Sequence, residues 1–297
     1  MSLYPHLHKI CLPILKLNPE QRIAHISQPR WIGYPLAHKL LQKFDDIYRH
    51  PRVSRMPNIM LIGRTNNGKT ELVKRFCHQH QCEPNYGGES IEMPVLYIQA
   101  PPSPNEADLY AEILTSLFER VPSASTSAKR ARVLDVLKKI GLKVLCIDEL
   151  QNSLAGSPIK LQQMLNTIKY LGNELQISFI ALGTEDLLRA MSVDKQLQNR
   201  FEPIVLPQWK MSKEYLQLLK TFESLLPLKS PSLLHQSPLS QKLLAMSEGT
   251  IGEMSTLIKK AAIHSLNEGK ECIDTQMLST CGYTPPSDRT REVAKLV

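Results

Sequence analysis

The stretch that most constrains this chain lies at residues 58–70, where the apolar run NIMLI opens directly into GRTNNGKT. Those eight residues fit G-x-x-x-x-G-K-[ST], with Gly63, Gly68, Lys69 and Thr70 at the fixed positions and Arg64, Thr65, Asn66 and Asn67 between them. A loop of this kind cradles phosphate because consecutive backbone N–H groups curl around its oxygens at a helix N-terminus, where the dipole favours negative charge. The glycines permit close backbone approach, Lys69 reaches the β- and γ-phosphates of a nucleoside triphosphate such as ATP, and the Thr70 hydroxyl faces Mg2+. The loop needs a buried strand before it and a helix after it, and both patterns are present. NIMLIG reads as the strand, and TELVKRFCHQH, with Glu71 in its first turn, reads as a helix whose Leu72, Val73 and Phe76 face inward. Residues 63–71 are thus the expected nucleotide-binding stretch. The plain alternative, a Gly/Asn turn that happens to carry a lysine, does not account for the flanking pattern.

A second element, KVLCIDEL (143–150), ends an apolar strand in two carboxylates. Parallel sheets place their ligands at the carboxyl ends of strands, so Asp148 and Glu149 should lie beside the phosphate loop. Asp148 would hold Mg2+ directly or through water, and Glu149 would orient and deprotonate the water that attacks the γ-phosphate. Glutamate next to aspartate favours a hydrolase over a kinase. The following strand, in FIALGTED, puts Thr184 at its tip, where it would touch the γ-phosphate or the attacking water. QLQNRFEPIVL then offers Arg200 just past a helix, where a ring-forming ATPase presents an arginine to its neighbour's nucleotide. Arg189 is the rival, and a surface arginine paired with a carboxylate is the plain alternative.

The wider pattern is α/β. LAHKLLQKFDDIYRH (36–50) has a helical period closed by Pro51, and PVLYIQA (94–100) and QISFIALGT (176–184) read as further buried strands. NEADLYAEILTSLFERV (105–121) reads as a helix. So does SPIKLQQMLNTIKYLGNEL (157–175), with Ile159, Met164, Leu165, Ile168 and Leu171 on one face. Four strands alternating with helices imply a parallel sheet sandwiched between helical layers. Past residue 208 only helices are expected. The domain reading is an N-terminal arm (1–30, punctuated by Pro5, Pro13, Pro19 and Pro29), an ATPase core (31–208), a small helical lid (209–283) and a mobile tail (284–297).

The 297 residues are 42% hydrophobic and 22% charged, which are globular values. A net charge of +8 suits a polyanionic partner such as DNA or RNA without requiring one. No apolar run approaches the roughly 18 residues of a membrane helix, so no membrane is expected. Pro13 interrupts the N-terminal apolar segment and no signal peptide is read there. The six cysteines lack a framework spacing, which fits a reducing cytoplasm. The cluster Cys77-His78-Gln79-His80-Gln81-Cys82 crowds its donors into six residues, unlike the separated pairs of a structural zinc site, and reads as a polar helix end.

Beyond these motifs, four stretches carry a family resemblance: RWIGYPLAHKLLQKFDDIYRHPRVSRMPNIMLIGRTNNGKT, APPSPNEADLYAEIL, QLQNRFEPIVLPQW and SEGTIGEMSTLIKKAA. Spanning about residues 30 to 262, they make the chain resemble AAA+ ATPases, specifically the transposition regulators of the TniB/TnsC type, relatives of the phage Mu B protein found in bacterial and CRISPR-associated transposons. The resemblance implies that Trp31, Ile32, Gly33 and Tyr34 lie near the adenine and that GTIGEMSTL opens a lid helix bearing Gly252. The chain departs from many AAA+ ATPases in having no arginine at that helix start, where Gly252, Glu253 and Met254 stand, and Lys259 and Lys260 lie too far along to replace it. Family members assemble as rings or helical filaments on duplex DNA in the ATP state, mark it as a target, and engage a DDE transposase and a TniQ-type targeting protein. Hydrolysis then resets the assembly. In SASTSAKRAR, Thr126, Lys129, Arg130 and Arg132 are the candidate contacts to DNA phosphates, giving sequence-tolerant, salt-sensitive binding; a solvated helix face is the alternative. Another DNA-associated AAA+ ATPase of initiator-loader or defence type, or a nucleotide-gated DNA scaffold with little hydrolysis, also fits the motifs.

Overall fold

Strands buried on both faces read as continuous apolar runs rather than alternating ones. NIMLI and VLCID are such runs, and every residue in them is buried. The computed structural model describes residues 4–82, 91–123 and 125–289. The chain divides into two compact units, one of residues 36–65 and 69–207, the other of residues 1–35, 66–68 and 208–297.

The first unit is the expected α/β sandwich. Its strands are β1 (Asn58–Ile62), β2 (Val95–Gln99), β3 (Val144–Asp148), β4 (Ser178–Gly183) and β5 (Phe201–Val205). All pair in parallel, in the order β2-β3-β4-β1-β5. The register pairs Ile62 with Gly183 and with Val205, and Gln99 with Asp148. The loops after β1, β3 and β4 therefore leave the same edge of the sheet, with β4 lying between the other two. Helices Lys69–Gln79, Glu106–Ser116, Thr126–Lys139 and Pro158–Leu175 cover the strands. Phe44 and Phe76, both fully buried, meet edge-on with ring centroids 5.5 Å apart.

Three sequence expectations change here. A fifth strand joins the four expected, and FEPIV hid it because Glu202 and Pro203 break the apolar run. An edge strand tolerates a proline that a central one does not, and β5 has only β1 beside it. The helix expected over 105–121 stops at Ser116, followed by Phe118 at φ +56. Ile159 is 72% exposed in the first turn of its helix, while Met164, Leu165, Ile168 and Leu171 form the buried stripe.

The second unit contains only helices among the described residues: Pro19–Ser27, Lys213–Ser224, Leu239–Met246, Ile251–Asn267 and Thr275–Thr280, with two short 3-10 turns near the N-terminus. Tyr215, Leu219, Met254, Leu257 and Ile258 lie at its centre. The N-terminal segment, expected as a separate arm, is part of this unit. Asn18 and Gln21 form a reciprocal capping box around Pro19, a residue preset for the first helical turn rather than a break. Arg22 is 3% exposed and pairs through two nitrogens with Glu271, while Arg30 donates to the Leu225 carbonyl at 2.8 Å. Burial pushes the Glu271 carboxyl up, but the Arg22 guanidinium outweighs it and holds the group below its ordinary range. The expected tail is held as far as it is described. The Ser287 N–H donates to Glu248 and Arg289 pairs with Glu253, while residues 290–297 lie outside the described residues. No helix among the described residues is long and apolar enough to cross a membrane.

Asn58 shows how one polar side chain registers the sheet. Its Oδ1 accepts from the Phe179 N–H of β4 at 2.8 Å, and its amide donates to the carbonyls of Met56 and Arg200. Asn58→Ala leaves that buried N–H unsatisfied and is expected to cost about 2 kcal/mol, whereas Ile159→Ser should stay within about 0.5 kcal/mol. Urea denaturation followed by circular dichroism checks both.

Candidate functional site

In the α/β unit the site grows from the ends of β1, β3 and β4. The Gly63 N–H donates to the Gly183 carbonyl at 3.2 Å, and a Cβ on Gly63 would lie 3.1 Å from the Leu206 oxygen. A side chain at residue 63 would thus crowd that backbone. Lys69 begins the next helix with only 4% of its surface exposed, and its Nζ donates to the carbonyls of Gly63 at 2.8 Å and Arg64 at 3.0 Å. Burial pulls the lysine pKa down, and the charges of Glu149 and Asp148 oppose that shift. The ammonium is satisfied by neutral carbonyls alone, an arrangement that an anionic oxygen can replace at little cost. Arg64, Thr65 and Glu71 are exposed.

Asp148 is the convergence point. Its Oδ2 accepts from the Thr70 hydroxyl at 2.6 Å and from the Tyr97 hydroxyl at 2.9 Å, and its Oδ1 accepts from the Glu149 N–H at 2.9 Å. Burial, with the Asp148 carboxylate beside it, pushes the Tyr97 pKa up, so the phenol stays a donor. Glu149 is half-buried and adopts φ +52, a left-handed conformation that is costly for a residue with a side chain. Gln151 donates to its Oε2. Thr184 stands half-buried at the tip of β4, between the loop after β1 and the end of β3, with its hydroxyl 3.5 Å from Asp186. Tyr97 and Gln151 escaped the sequence reading. Tyr97 reaches Asp148 across strands, and Gln151 sits two residues beyond the acidic pair, where no motif marks it.

The helical unit includes the tip of the phosphate loop, residues 66–68. Asn66 has φ +59 and Gly68 φ +86, while Asn67 is buried. The expected lid helix starts at Ile251, and the Gly252 N–H donates to the Asn66 carbonyl at 3.0 Å. A Cβ on Gly252 would lie 1.9 Å from the Asn66 Oδ1, so only glycine allows this approach. Lys259 donates to the Gln28 carbonyl and Lys260 to that of Gly282, each at backbone oxygens of their own unit. Trp31, Ile32, Gly33 and Tyr34 belong to this unit rather than to the α/β core. Ile32 and Tyr34 pack on the helical core, and Tyr34 meets Trp209 edge-on at 5.1 Å. Burial raises the Tyr34 pKa to about 12.

The remaining candidates lie in the α/β unit, away from the loop after β1. Arg200 immediately precedes β5, at the strand edge opposite the phosphate loop, and donates to Asn173 at 2.9 Å. With Lys43 and Arg55 it lines a cavity of about 690 Å³. Arg189 is 74% exposed and pairs with Glu185 and Asp186. Thr126 and Arg130 border a second cavity of about 670 Å³, but Arg130 is engaged by Glu106 and by the Tyr110 hydroxyl, and lies 5.5 Å over the Tyr170 ring. Arg132 bridges Glu119 at 2.6 Å and Asp135 at 3.1 Å. Lys129, half-exposed on the same helix, sits among these paired cations. In the cysteine–histidine stretch, His80 bonds Asp45 at 2.7 Å and stacks on Tyr48. Among the described residues no three His, Cys, Asp or Glu side chains gather as a metal site would.

The model of the family described as bacterial TniB protein matches residues 22–211. No curated protein matches the sequence. Among solved structures, the Aeropyrum pernix Orc1 protein in complex with DNA aligns with 100% of this chain and 74% of its own, at 17% identity and a TM-score of 0.61. The Cdc6 protein of Pyrobaculum aerophilum aligns with 84% of this chain and 67% of its own, at 15% identity and a TM-score of 0.58. The Thermotoga maritima RuvB Holliday junction branch migration motor gives 19% identity, a TM-score of 0.50, and coverage of 84% and 68%. At these identities the likeness is one of fold, that of the P-loop AAA+ ATPases, and this chain is an ATPase.

Lys69→Ala is expected to abolish ATP binding, because it removes the one buried cation of the loop. Titration of the folded variant with a fluorescent ATP analogue is the check, and unchanged affinity would refute the assignment of the loop.

Proposed function

We propose, from the premise that this chain belongs to the TniB family, that it is an ATP-dependent regulator of transposition. On this reading it oligomerises on duplex target DNA when ATP is bound, links a TniQ-type targeting protein to a DDE transposase, and is reset by hydrolysis. The observation that carries it is the convergence of Thr70, Asp148 and Glu149 beside Lys69, in a chain whose family match spans the whole α/β unit.

The residues present fit Mg2+. Thr70 Oγ1 and Asp148 Oδ2 lie 2.6 Å apart, and a hard cation that keeps most of its waters needs only one or two protein oxygens besides phosphate. When bound there, Mg2+ would neutralise charge on the β- and γ-phosphates. Lys69 would exchange its carbonyl partners for phosphate oxygens, and the loop N–H groups would hold the rest. Glu149, fixed by its own N–H bond to Asp148 and by Gln151, would take the proton of the attacking water. Thr184 would orient that water or the γ-phosphate from the intervening strand. Arg200 stands at the far edge of its own sheet, a strand length of roughly 15 Å from the loop, so it would serve the nucleotide of a neighbouring copy. The segment Trp31–Tyr34 would border the adenine.

DNA binding is supported by the +8 charge and by the structural relatives, one solved with DNA and another named as a branch migration motor. Lys129 and Thr126 are its proposed phosphate contacts, whereas Arg130 and Arg132 would first have to leave their carboxylates. An initiator-type role is the second reading, favoured by the Orc1 and Cdc6 likeness. Adding the chain to a purified transposase and target plasmid separates the two, since only the first reading expects ATP-dependent stimulation of insertion.

Glu149→Gln keeps the shape of the carboxylate but cannot accept the proton. Turnover should fall by about 100-fold or more while ATP still binds, leaving the protein long-lived on DNA in a dissociation assay. Lys129→Ala should flatten the plot of log affinity against log salt by about one unit of slope per lost phosphate contact. It should weaken two unrelated duplexes equally, as read by fluorescence anisotropy with a non-hydrolysable ATP analogue. An unchanged slope would place the DNA surface elsewhere.

A further inference from the structure

Glu253, in the first turn of helix Ile251–Asn267, is a carboxylate with only 8% of its surface exposed. A buried carboxylate is costly unless hydrogen bonds and a counter-charge meet it. Here Asn66 Nδ2 donates at 2.9 Å, the Tyr283 hydroxyl at 2.7 Å, and Arg289 through both terminal nitrogens. Burial pushes the Glu253 pKa up, but Arg289, Tyr283 and Asn66 outweigh it and hold the group ionised. Three of these residues come from the helical segments, and the fourth is the tip of the phosphate loop.

Asn66 is gripped twice, by Glu253 at its amide and by the Gly252 N–H at its carbonyl. Neither bond uses its own N–H. Its φ of +59 is a conformation that asparagine tolerates better than most residues. A left-handed residue at this point turns successive N–H groups toward one side, which is how such loops form anion nests.

We propose that Glu253 is a positioning residue for ATP binding, acting through Asn66 to hold the loop tip in its phosphate-receiving turn, with Arg289 neutralising the carboxylate so that it does not repel the triphosphate. The inference rests on the reading of residues 63–70 as the phosphate loop. Preorganising a loop strengthens substrate and transition state alike, so the effect belongs in KM rather than kcat.

The test is steady-state ATPase kinetics on the full chain, with Lys69→Ala as the control for the loop itself. Asn66→Gly permits the left-handed turn, removes the side chain that reaches Glu253, and lies at an exposed position. It should raise KM about tenfold with kcat within about twofold, the size of one lost charge-assisted bond. Glu253→Ala should do the same, and the double variant should be no worse than either single one, because both remove one contact. Glu253→Gln retains an acceptor for Asn66 and should recover KM to within about threefold of the parent. Arg289→Ala should raise KM in the parent but not in the Glu253→Gln background, where no charge is left to neutralise.

Additive effects of Asn66→Gly and Glu253→Ala would overturn the proposal, as would a Glu253→Gln variant no better than Glu253→Ala. If thermal melting shows Glu253→Ala unfolded, Asn66→Gly and Glu253→Gln decide alone, and an unchanged KM in Asn66→Gly refutes the inference. Retained ATP affinity in Lys69→Ala would instead sink the loop assignment, a distinct outcome.

Discussion

One carboxylate organises the carboxyl end of the sheet. Asp148 accepts from Thr70 of the loop after β1, from Tyr97 of β2 and from the N–H of its own neighbour Glu149. Three segments far apart in sequence are thereby fixed around one oxygen pair. A parallel sheet makes this possible, because all its strands end on the same edge and β4 spaces β1 from β3. The left-handed Glu149 follows from the same bond. Its N–H is committed to Asp148, and Gln151 holds its side chain, so the strained backbone is over-determined rather than free to relax.

What the sequence made legible was whatever is encoded locally. The phosphate loop, the acidic pair and the buried strands each announce themselves within eight residues. Asn58, Tyr97 and the Arg22–Glu271 pair do not, because their partners lie from 51 to 249 residues away. β5 was hidden by a proline that only an edge position permits. The N-terminal segment departs from the expected arm for a different reason. Its prolines suggest breaks, yet Asn18-Pro19-Glu20-Gln21 is itself a helix-start signal, with a capping residue, a preset first turn and a reciprocal glutamine.

The basic stretch 126–132 shows the limit of counting charge. Arg130 is matched by Glu106 of a neighbouring helix, and Arg132 by Glu119 and by Asp135 of its own helix. Exposed pairs of this kind contribute little to stability, so their partners can be exchanged for phosphate at modest cost, but the free cation density is lower than the sequence suggests. On the proposed reading, a backbone-reading surface at this helix would draw on Lys129 and on exchangeable arginines together.

The charge arrangement around the phosphate loop carries a consequence for how hydrolysis is controlled. The lid helix begins with Gly252, Glu253 and Met254, so the group it brings to the loop tip is a carboxylate, whose charge Arg289 cancels. The Glu253–Arg289 pair therefore adds no net positive charge beside Asn66. On the proposed reading, the charge that builds on the γ-phosphate would be met by Lys69, by Mg2+ at Thr70 and Asp148, and by an arginine of a neighbouring copy. Arg200, which precedes β5 at the opposite edge of its own sheet, would meet that need only if copies stack. An isolated subunit would then bind ATP well and hydrolyse it slowly, because binding relies on the loop within the chain while transition-state stabilisation relies on a neighbour. Assembly on DNA and the onset of hydrolysis are in that case a single electrostatic event, and no separate timing element is required.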